Sequence, residues 1–115
     1  MSRRSRKEAS RIPQTFAPVF AALGDQTRLA LVAELSGGQP RSIAQLTEGS
    51  PLTRQAITKH LRVLQRAKIV RNVRVGRENR FEFVPEPLDE IRKYLERVSE
   101  QWDQALARLK AFVDG

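Results

Sequence analysis

Hydrogen-bond donors and cations are concentrated in the middle of this 115-residue chain, between positions 53 and 80. This segment contains nine Lys or Arg residues and one acidic residue, a charge of +8 that equals the net charge of the whole chain. Helical spacing places polar side chains on one face and apolar ones on the other. The polar set is Gln55, Thr58, Lys59 and Arg62, and the apolar set is Ile57, Leu61 and Leu64. Such donors can bind phosphate oxygens and base edges, so the segment predicts contact with a polyanion.

Other kinds of chemistry lack the residues they need. The chain has no cysteine and one histidine, which excludes disulfides, thiolate nucleophiles and Cys-ligated zinc or iron-sulfur clusters. His60 has no second histidine for a metal site, and we expect it to pack or to lie beside a phosphate. Glu78, Glu82 and Glu86 could be offered as catalytic carboxylates, but alternation in a hairpin places Glu78 and Glu82 at an exposed tip and strand face, without a pocket or a partner. The sequence therefore predicts a protein that is not an enzyme and has no catalytic residue, cofactor or metal.

The N-terminal residues form a second basic segment. Residues 1 to 11 contain five basic residues and one acidic residue, and we interpret residues 1–14 as a flexible basic arm. It is either simply disordered or makes non-specific phosphate contacts. The longest apolar stretch, Phe16 to Leu23, is far below the roughly 20 residues that a membrane span needs. It also lacks a convincing signal-peptide cleavage site, so we expect a cytoplasmic protein with no membrane partner.

Three short helices are predicted before the basic segment. The first runs from Phe16, with Thr15 as its N-cap, and ends near Gly24. Asp25 is placed to cap the second, and the S-x-x-Q spacing of Ser42 and Gln45 predicts a capping box at the third. The predicted inner face of the second helix is Leu29, Val32, Ala33 and Leu35.

The basic segment itself predicts a fourth helix and a hairpin. Thr53 is the expected N-cap of a helix that runs to about Ala67. The apolar period then changes to two, at Val73 and Val75 and again at Phe81 and Phe83. A four-residue connection, positions 76–79, separates these runs and places Arg77 at the tip.

The last predicted helix is long for so small a chain. Its apolar residues alternate at spacings of three and four, an a/d heptad pattern: Leu88, Ile91, Leu95, Val98, Trp102, Ala105, Leu109 and Phe112. About 25 residues of helix span roughly 37 Å, whereas a domain of this size has a radius of gyration of about 13 Å. Some of these apolar residues must therefore lie beyond the chain's own core, and a second copy of the chain is the simplest way to bury them.

Together these elements predict one domain over residues 15–115 that is mainly α with a small β-hairpin. A capped helix, a glycine-containing turn and a helix with a polar outer face match the helix-turn-helix plan, in which the second helix lies in the major groove. The hairpin adds a wing able to reach the minor groove or the backbone. The predicted fold is a winged helix-turn-helix of about five helices with a two-stranded wing.

Three segments together resemble one family. Residues 20–28 (FAALGDQTR), 52–64 (LTRQAITKHLRVL) and the wing residues 75–80 (VGRENR) are similar to the ArsR-type winged-helix transcriptional repressors. The resemblance covers residues 16 to about 112 and implies a homodimer, held by the first and last helices, on a palindromic operator. Metal-sensing members have a Cys-x-Cys motif in the third helix or His and Asp pairs in the last. Here the third helix reads SIAQLT and the last has no histidine, so we expect a branch that does not respond to metals.

One further departure concerns the end of the fourth helix. The family usually ends this helix with Ala-Gly, but here Ala67 is followed by Lys68. If Lys68 adopts the left-handed conformation, the strain is on the order of 1 kcal/mol, and we expect a phosphate contact to accompany it.

The sequence thus predicts a sequence-specific DNA-binding regulator, a dimeric repressor on an inverted-repeat operator. Its expected partners are double-stranded DNA and a second copy of itself, with the operator and any inducer unidentified. A non-specific architectural DNA binder and a winged-helix module for protein or RNA are the alternatives. The predicted DNA-binding residues are Arg41, Ser42, Thr53, Arg54, Gln55, Thr58, Lys59, Arg62, Arg74 and Arg77. The predicted dimer interface is Phe16, Val19, Phe20, Leu95, Val98, Trp102, Leu109 and Phe112.

Overall fold

A computed structural model describes residue 14 and residues 16–114, and across them the chain forms five helices and one two-stranded antiparallel sheet. The predicted fold class is therefore confirmed. The predicted arm lies outside the described residues apart from Gln14, and so does Thr15. In chain order the elements are α1 (Phe16–Leu23), α2 (Gln26–Leu35), α3 (Ile43–Thr47), α4 (Arg54–Arg66), β1 (Val70–Val75), β2 (Glu78–Phe83) and α5 (Glu86–Asp114).

Short polar side chains begin three of the described helices, as predicted. The Asp25 carboxylate accepts a hydrogen bond from the backbone N–H of Arg28 at 3.0 Å and starts α2. Ser42 and Gln45 form a complete capping box at α3, with distances of 3.1 and 2.9 Å. The Thr53 hydroxyl accepts from the third amide of α4 at 3.1 Å. Each cap satisfies amides that a helix leaves unpaired at its start.

The core is built around α4, which packs on α1, α2, α3 and β1. Its apolar residues Ile57, Leu61 and Leu64 are all buried, as their spacing predicted. The adjoining Ile69 and Val70 are also fully buried. Because one face of α4 lies in this core, its opposite face is held outward in a fixed orientation.

The predicted inner face of α2 was partly wrong. Val32 and Leu35 are buried, but Leu29 is 51% exposed and Ala33 is exposed too, while Leu31 is in the core. Apolar residues flank Val32 on both sides of the helix, so periodicity alone did not fix its rotation. Arg28 lies on the same side as Leu31 and donates to the Ala22 carbonyl oxygen at 2.6 Å, which holds that side against the body of the domain.

The hairpin forms, but its loop is shorter than predicted. Val75 pairs with Glu78, which leaves only Gly76 and Arg77 in the loop instead of four residues. Gly76 has a φ of +64°, as the first central position of a type II′ loop requires.

The register places the apolar residues of the two strands on different faces of the wing. Val73 pairs with Arg80 and Val75 with Glu78, whereas the buried Phe81 pairs with Asn72. Since side chains alternate across a strand, the two valines lie on the face opposite Phe81.

The end of α4 reverses the chain through a Schellman motif. The Ile69 N–H donates to the Leu64 carbonyl at 3.0 Å, and the Lys68 N–H donates to the Gln65 carbonyl at 3.0 Å. Lys68 has a φ of 63° and is, among the described residues, the only non-glycine with a positive φ. The left-handed conformation considered for Lys68 is therefore present.

The last helix, α5, has 29 residues and spans about 43 Å. Only its first turns meet the core, where Ile91 is buried and Tyr94 packs edge-on against Phe16 with ring centroids 5.4 Å apart. From Leu95 onward its large apolar residues are exposed, except for the half-buried Val98, and the described chain measures 65 × 33 × 22 Å. Among the described residues, no helix combines the length and the apolarity needed to cross a membrane.

Candidate nucleic-acid interface

The outward face of α4 presents its donors side by side. One shallow groove is lined entirely by five of the predicted residues: Arg54, Gln55, Thr58, Lys59 and Arg62. Thr58 contributes less than its spacing suggested, because its hydroxyl donates to the Arg54 carbonyl oxygen within the helix at 2.7 Å. The remaining four side chains supply three cationic groups and one amide.

Among the residues that the structure describes, the cations of this groove have no carboxylate partners. Within residues 16–114, every ion pair lies elsewhere, for example between Arg71 and Glu82 or between Arg80 and Glu78. Arg54, Lys59 and Arg62 are exposed. Unpaired surface cations on one helix face produce a positive potential that favours phosphate binding.

The wing adds a second cationic point. Arg77 is exposed in the two-residue loop, beside Gly76. Arg74, at the end of β1, donates from its Nε to the Gly76 carbonyl oxygen at 3.3 Å, which holds this side chain along the tip. The tip therefore offers two guanidinium groups on a narrow projection.

Three of the predicted residues have structural roles. Ser42 is only 5% exposed, and its hydroxyl is used in the capping box of α3, so it presents no free group to a partner. Thr53 is exposed but caps α4 with its hydroxyl. The backbone of Arg41 pairs with Phe81 through two hydrogen bonds of 2.9 and 2.7 Å, and its side chain lies 3.4 Å from Glu34.

Asp25, Arg28 and His60 form a polar cluster between α2 and α4 that the sequence analysis did not predict. Arg28 contacts Nδ1 of His60 at 3.2 Å, and the Asp25 carboxylate lies 3.8 Å from the same nitrogen. Arg28 has only donors, so this contact needs an unprotonated Nδ1. The cluster joins the start of α2 to the middle of α4 and gives His60 the packing role expected of it. The only local sequence signal for this cluster was the spacing of three residues between Asp25 and Arg28, which is the spacing of an N-cap.

The cap also sets the ionisation of Asp25. The backbone N–H of Arg28 is the largest influence, and with the nearby charge of the Arg28 side chain it holds the pKa of the Asp25 carboxyl below its usual range. The carboxylate therefore stays ionised and able to accept hydrogen bonds under mildly acidic conditions.

The arrangement of potential metal ligands follows from the same structure. Within the described part of the chain, no three His, Cys, Asp or Glu side chains lie close enough together to hold a metal ion. Insensitivity to metals stays a prediction.

The predicted dimer residues fall into two groups. Phe16 and Val19 lie in the chain's own core, at 5% and 3% exposure, so they add little to any outer surface. Val98 is half-buried. The others are exposed, and Leu106 and Val113, which were not predicted, extend the same exposed stripe of α5. The exposed predicted residues are Phe20, Leu95, Trp102, Leu109 and Phe112.

The fold and the outward donor face of α4 define a winged helix-turn-helix DNA-binding protein. Residues 23–73 match the helix-turn-helix domain family. The chain is 32% identical over 95 residues to the HTH-type transcriptional regulator Rv2034 of Mycobacterium tuberculosis, covering 83% of this chain and 85% of that one. The chain belongs to the ArsR-like winged helix-turn-helix transcriptional regulators, and it has no cysteine to supply a thiolate metal ligand.

Solved structures show the same fold. An ArsR-like transcriptional regulator from Rhodococcus sp. RHA1 is 41% identical, with a TM-score of 0.75 and coverage of 85% of this chain and 92% of that one. The homodimeric winged helix-turn-helix DNA-binding domain of Mb0332 from Mycobacterium bovis is 20% identical, with a TM-score of 0.61 over 84% and 86% of the two chains.

Proposed function

We propose that this regulator is a dimeric repressor that binds an inverted-repeat operator, does so without catalysis and does not need a metal. The observation that supports this most directly is the groove on α4, whose three cations have no carboxylate partner among the described residues. Because the apolar face of α4 is fixed in the core, these groups can enter a major groove as a rigid set.

Within this groove, Gln55 and Arg62 are the proposed base-reading residues. Gln pairs with adenine and Arg with guanine through two hydrogen bonds each, which distinguishes these bases from the others. Arg54 and Lys59 are proposed as phosphate contacts that position the helix. Arg77 on the wing is proposed to contact the minor groove or the backbone.

The exposed stripe of α5 supports the dimer. Heptad positions a and d are apolar along the helix, and Leu106 and Val113 add apolar e positions near its end. A stripe of this width is typical of a helix that packs in a bundle rather than in a narrow two-helix seam. The Mb0332 domain, whose fold this chain shares, is a homodimer. Two copies joined along α5 would present their α4 helices about 34 Å apart, which is about 10 base pairs between half-site centres.

The proposal is tested by comparing operator and random DNA. The operator is first selected from random oligonucleotides with the full-length protein. We expect Gln55→Ala and Arg62→Ala each to weaken operator binding by about tenfold or more, because a bidentate base contact contributes about 1 to 3 kcal/mol of discrimination. Binding to random DNA should change much less.

Gln104→Ala is the matched control, since Gln104 is also exposed but lies on α5. It should leave both affinities unchanged. Equal losses on both DNAs for Gln55→Ala and Arg62→Ala would contradict the repressor proposal and favour a non-specific architectural binder.

A further inference from the structure

A cavity of about 290 Å³ lies where three helices meet, away from the groove on α4. Its lining comes from the start of α1, which we call the floor, and from the end of α4 and the start of α5, which we call its two walls. Its lining residues are Phe16, Pro18, Val19, Arg66, Ala67, Lys68, Glu86, Pro87 and Glu90.

The size and floor of the cavity restrict what could bind. Ligand pockets range from about 300 to 1,000 Å³, so this one is at the lower limit and suits a single small molecule rather than a nucleotide. The floor is apolar and contains the aromatic ring of Phe16 beside Val19. An apolar or aromatic group is the natural occupant of that floor.

The two walls have opposite charges. Arg66 and Lys68 come from the end of α4, and Glu86 and Glu90 come from the start of α5. Within residues 16–114 none of these four side chains forms an ion pair. A purely anionic ligand would meet the two carboxylates and a purely cationic one would meet the two bases. A ligand that carries both a negative and a positive charge can pair with the basic residues of one wall and with the carboxylates of the other.

Backbone strain is located at the same place. Lys68 has a φ of 63°, a conformation that glycine adopts without strain. Strained backbone clusters at ligand-binding sites and persists where the surrounding structure holds it in place. Lys68 lines the cavity, so the strain and a cationic side chain occur at the same position.

We propose that this cavity binds a small zwitterion with an apolar side chain, of the apolar α-amino acid class. Its carboxylate lies on Arg66 and Lys68, its ammonium group on Glu86 and Glu90, and its side chain on the apolar floor. The site lies before Leu95, where the exposed stripe of α5 begins, and of the predicted dimer interface it shares only Phe16 and Val19, which are buried in the chain's own core.

The site goes beyond the proposed function and is tested without DNA, so the two can fail independently. Isothermal titration calorimetry on the full-length protein uses three probes: L-phenylalanine, 3-phenylpropionate without the ammonium group, and phenethylamine without the carboxylate. We expect saturable binding of phenylalanine that is at least about tenfold tighter than that of either other probe, since each lost charge-assisted contact corresponds to about that factor.

Two substitutions on α5 locate the site. Glu90→Gln removes one carboxylate of the cavity, and we expect it to weaken phenylalanine binding by about tenfold. Glu100→Gln makes the same chemical change at an exposed position of the same helix and should have no effect. Both residues are exposed, so neither change disturbs the core.

The outcomes are distinct. No saturable binding of any probe overturns the proposal. Binding of either singly charged probe as tightly as phenylalanine overturns the zwitterion assignment. Equal phenylalanine affinity in the two glutamate variants shows that the molecule binds elsewhere.

Discussion

At the scale of single residues, Lys68 has the most unusual backbone in the described chain. It occupies the position after the α4 C-cap where the Schellman motif favours glycine, and its φ of 63° is unfavourable for any residue with a Cβ atom. The motif is otherwise complete, with both hydrogen bonds at 3.0 Å and Leu64 and Ile69 fully buried beside it. The strain is therefore a property of this one residue.

Lys68→Gly should stabilise the protein by about 1 kcal/mol, because glycine adopts this conformation without the steric penalty. Lys68→Ala removes the same ammonium group but retains the Cβ atom, so its stability should stay within about 0.5 kcal/mol of the unsubstituted protein. Urea unfolding of all three proteins measures the difference. A glycine variant no more stable than the alanine variant would show that the backbone here is unstrained.

Single residues also show where sequence reasoning works. The caps Asp25, Ser42 and Thr53 were predictable because each acts on amides within three residues of itself. The contact between Arg28 and His60 joins positions 32 residues apart, and no local spacing encodes it. Ser42 had the right type for a DNA contact, but its burial depends on how α3 packs.

At the scale of elements, the wing was predicted as a hairpin but its face was not. The apolar alternation is the same in both strands, yet the observed pairing places Val73 and Val75 on the face opposite Phe81. The predicted four-residue loop would give the same facing, because it shifts the pairing by two residues, so the pattern indicated the hairpin but not which of its faces packs on the core. The rotation of α2 was also not predicted. Leu29 and Leu31 both fit the helical period, and only the packing of the domain places Leu31 in the core.

Because Arg77 lies at the tip of the hairpin, we expect the wing to act on DNA differently from α4. The minor groove distinguishes mainly A·T from G·C pairs, so a tip residue there adds affinity with little sequence information. Arg77→Ala should therefore weaken binding to operator and random DNA alike. It should also reduce the log–log salt dependence by about one unit per monomer if a phosphate contact is lost. Binding isotherms at several salt concentrations measure both effects.

Arg71→Ala is the control for the wing. Arg71 is in the same hairpin, but it lies 3.4 Å from Glu82 and far from the tip, so its loss should change affinity and slope less. If Arg77→Ala leaves both quantities unchanged, the hairpin does not contact DNA, and a protein-binding role for the wing gains support.

At the scale of the whole molecule, the shape of the chain depends on α5. Its first turns pack on α1, and the rest extends past the core with Trp102 at 64% and Phe112 at 83% exposure. The heptad pattern predicted this extension, because its length could be compared with the size of a small domain. Burying such side chains contributes about 1.5 to 3 kcal/mol each, which a second copy of the same stripe can supply.

Replacing Leu95 and Trp102 together by Glu should therefore convert the proposed dimer to a monomer. Both side chains are exposed on the single chain, so the change leaves the core around α4 intact, and circular dichroism should show nearly the same helix content. Analytical ultracentrifugation should show one copy where the unsubstituted protein shows two. Ala107→Glu, on the opposite and exposed face of α5, should remain a dimer. Operator affinity should fall with the loss of the dimer, because the two half-sites are then bound independently. A double variant that still sediments as a folded dimer would show that the copies meet through another surface.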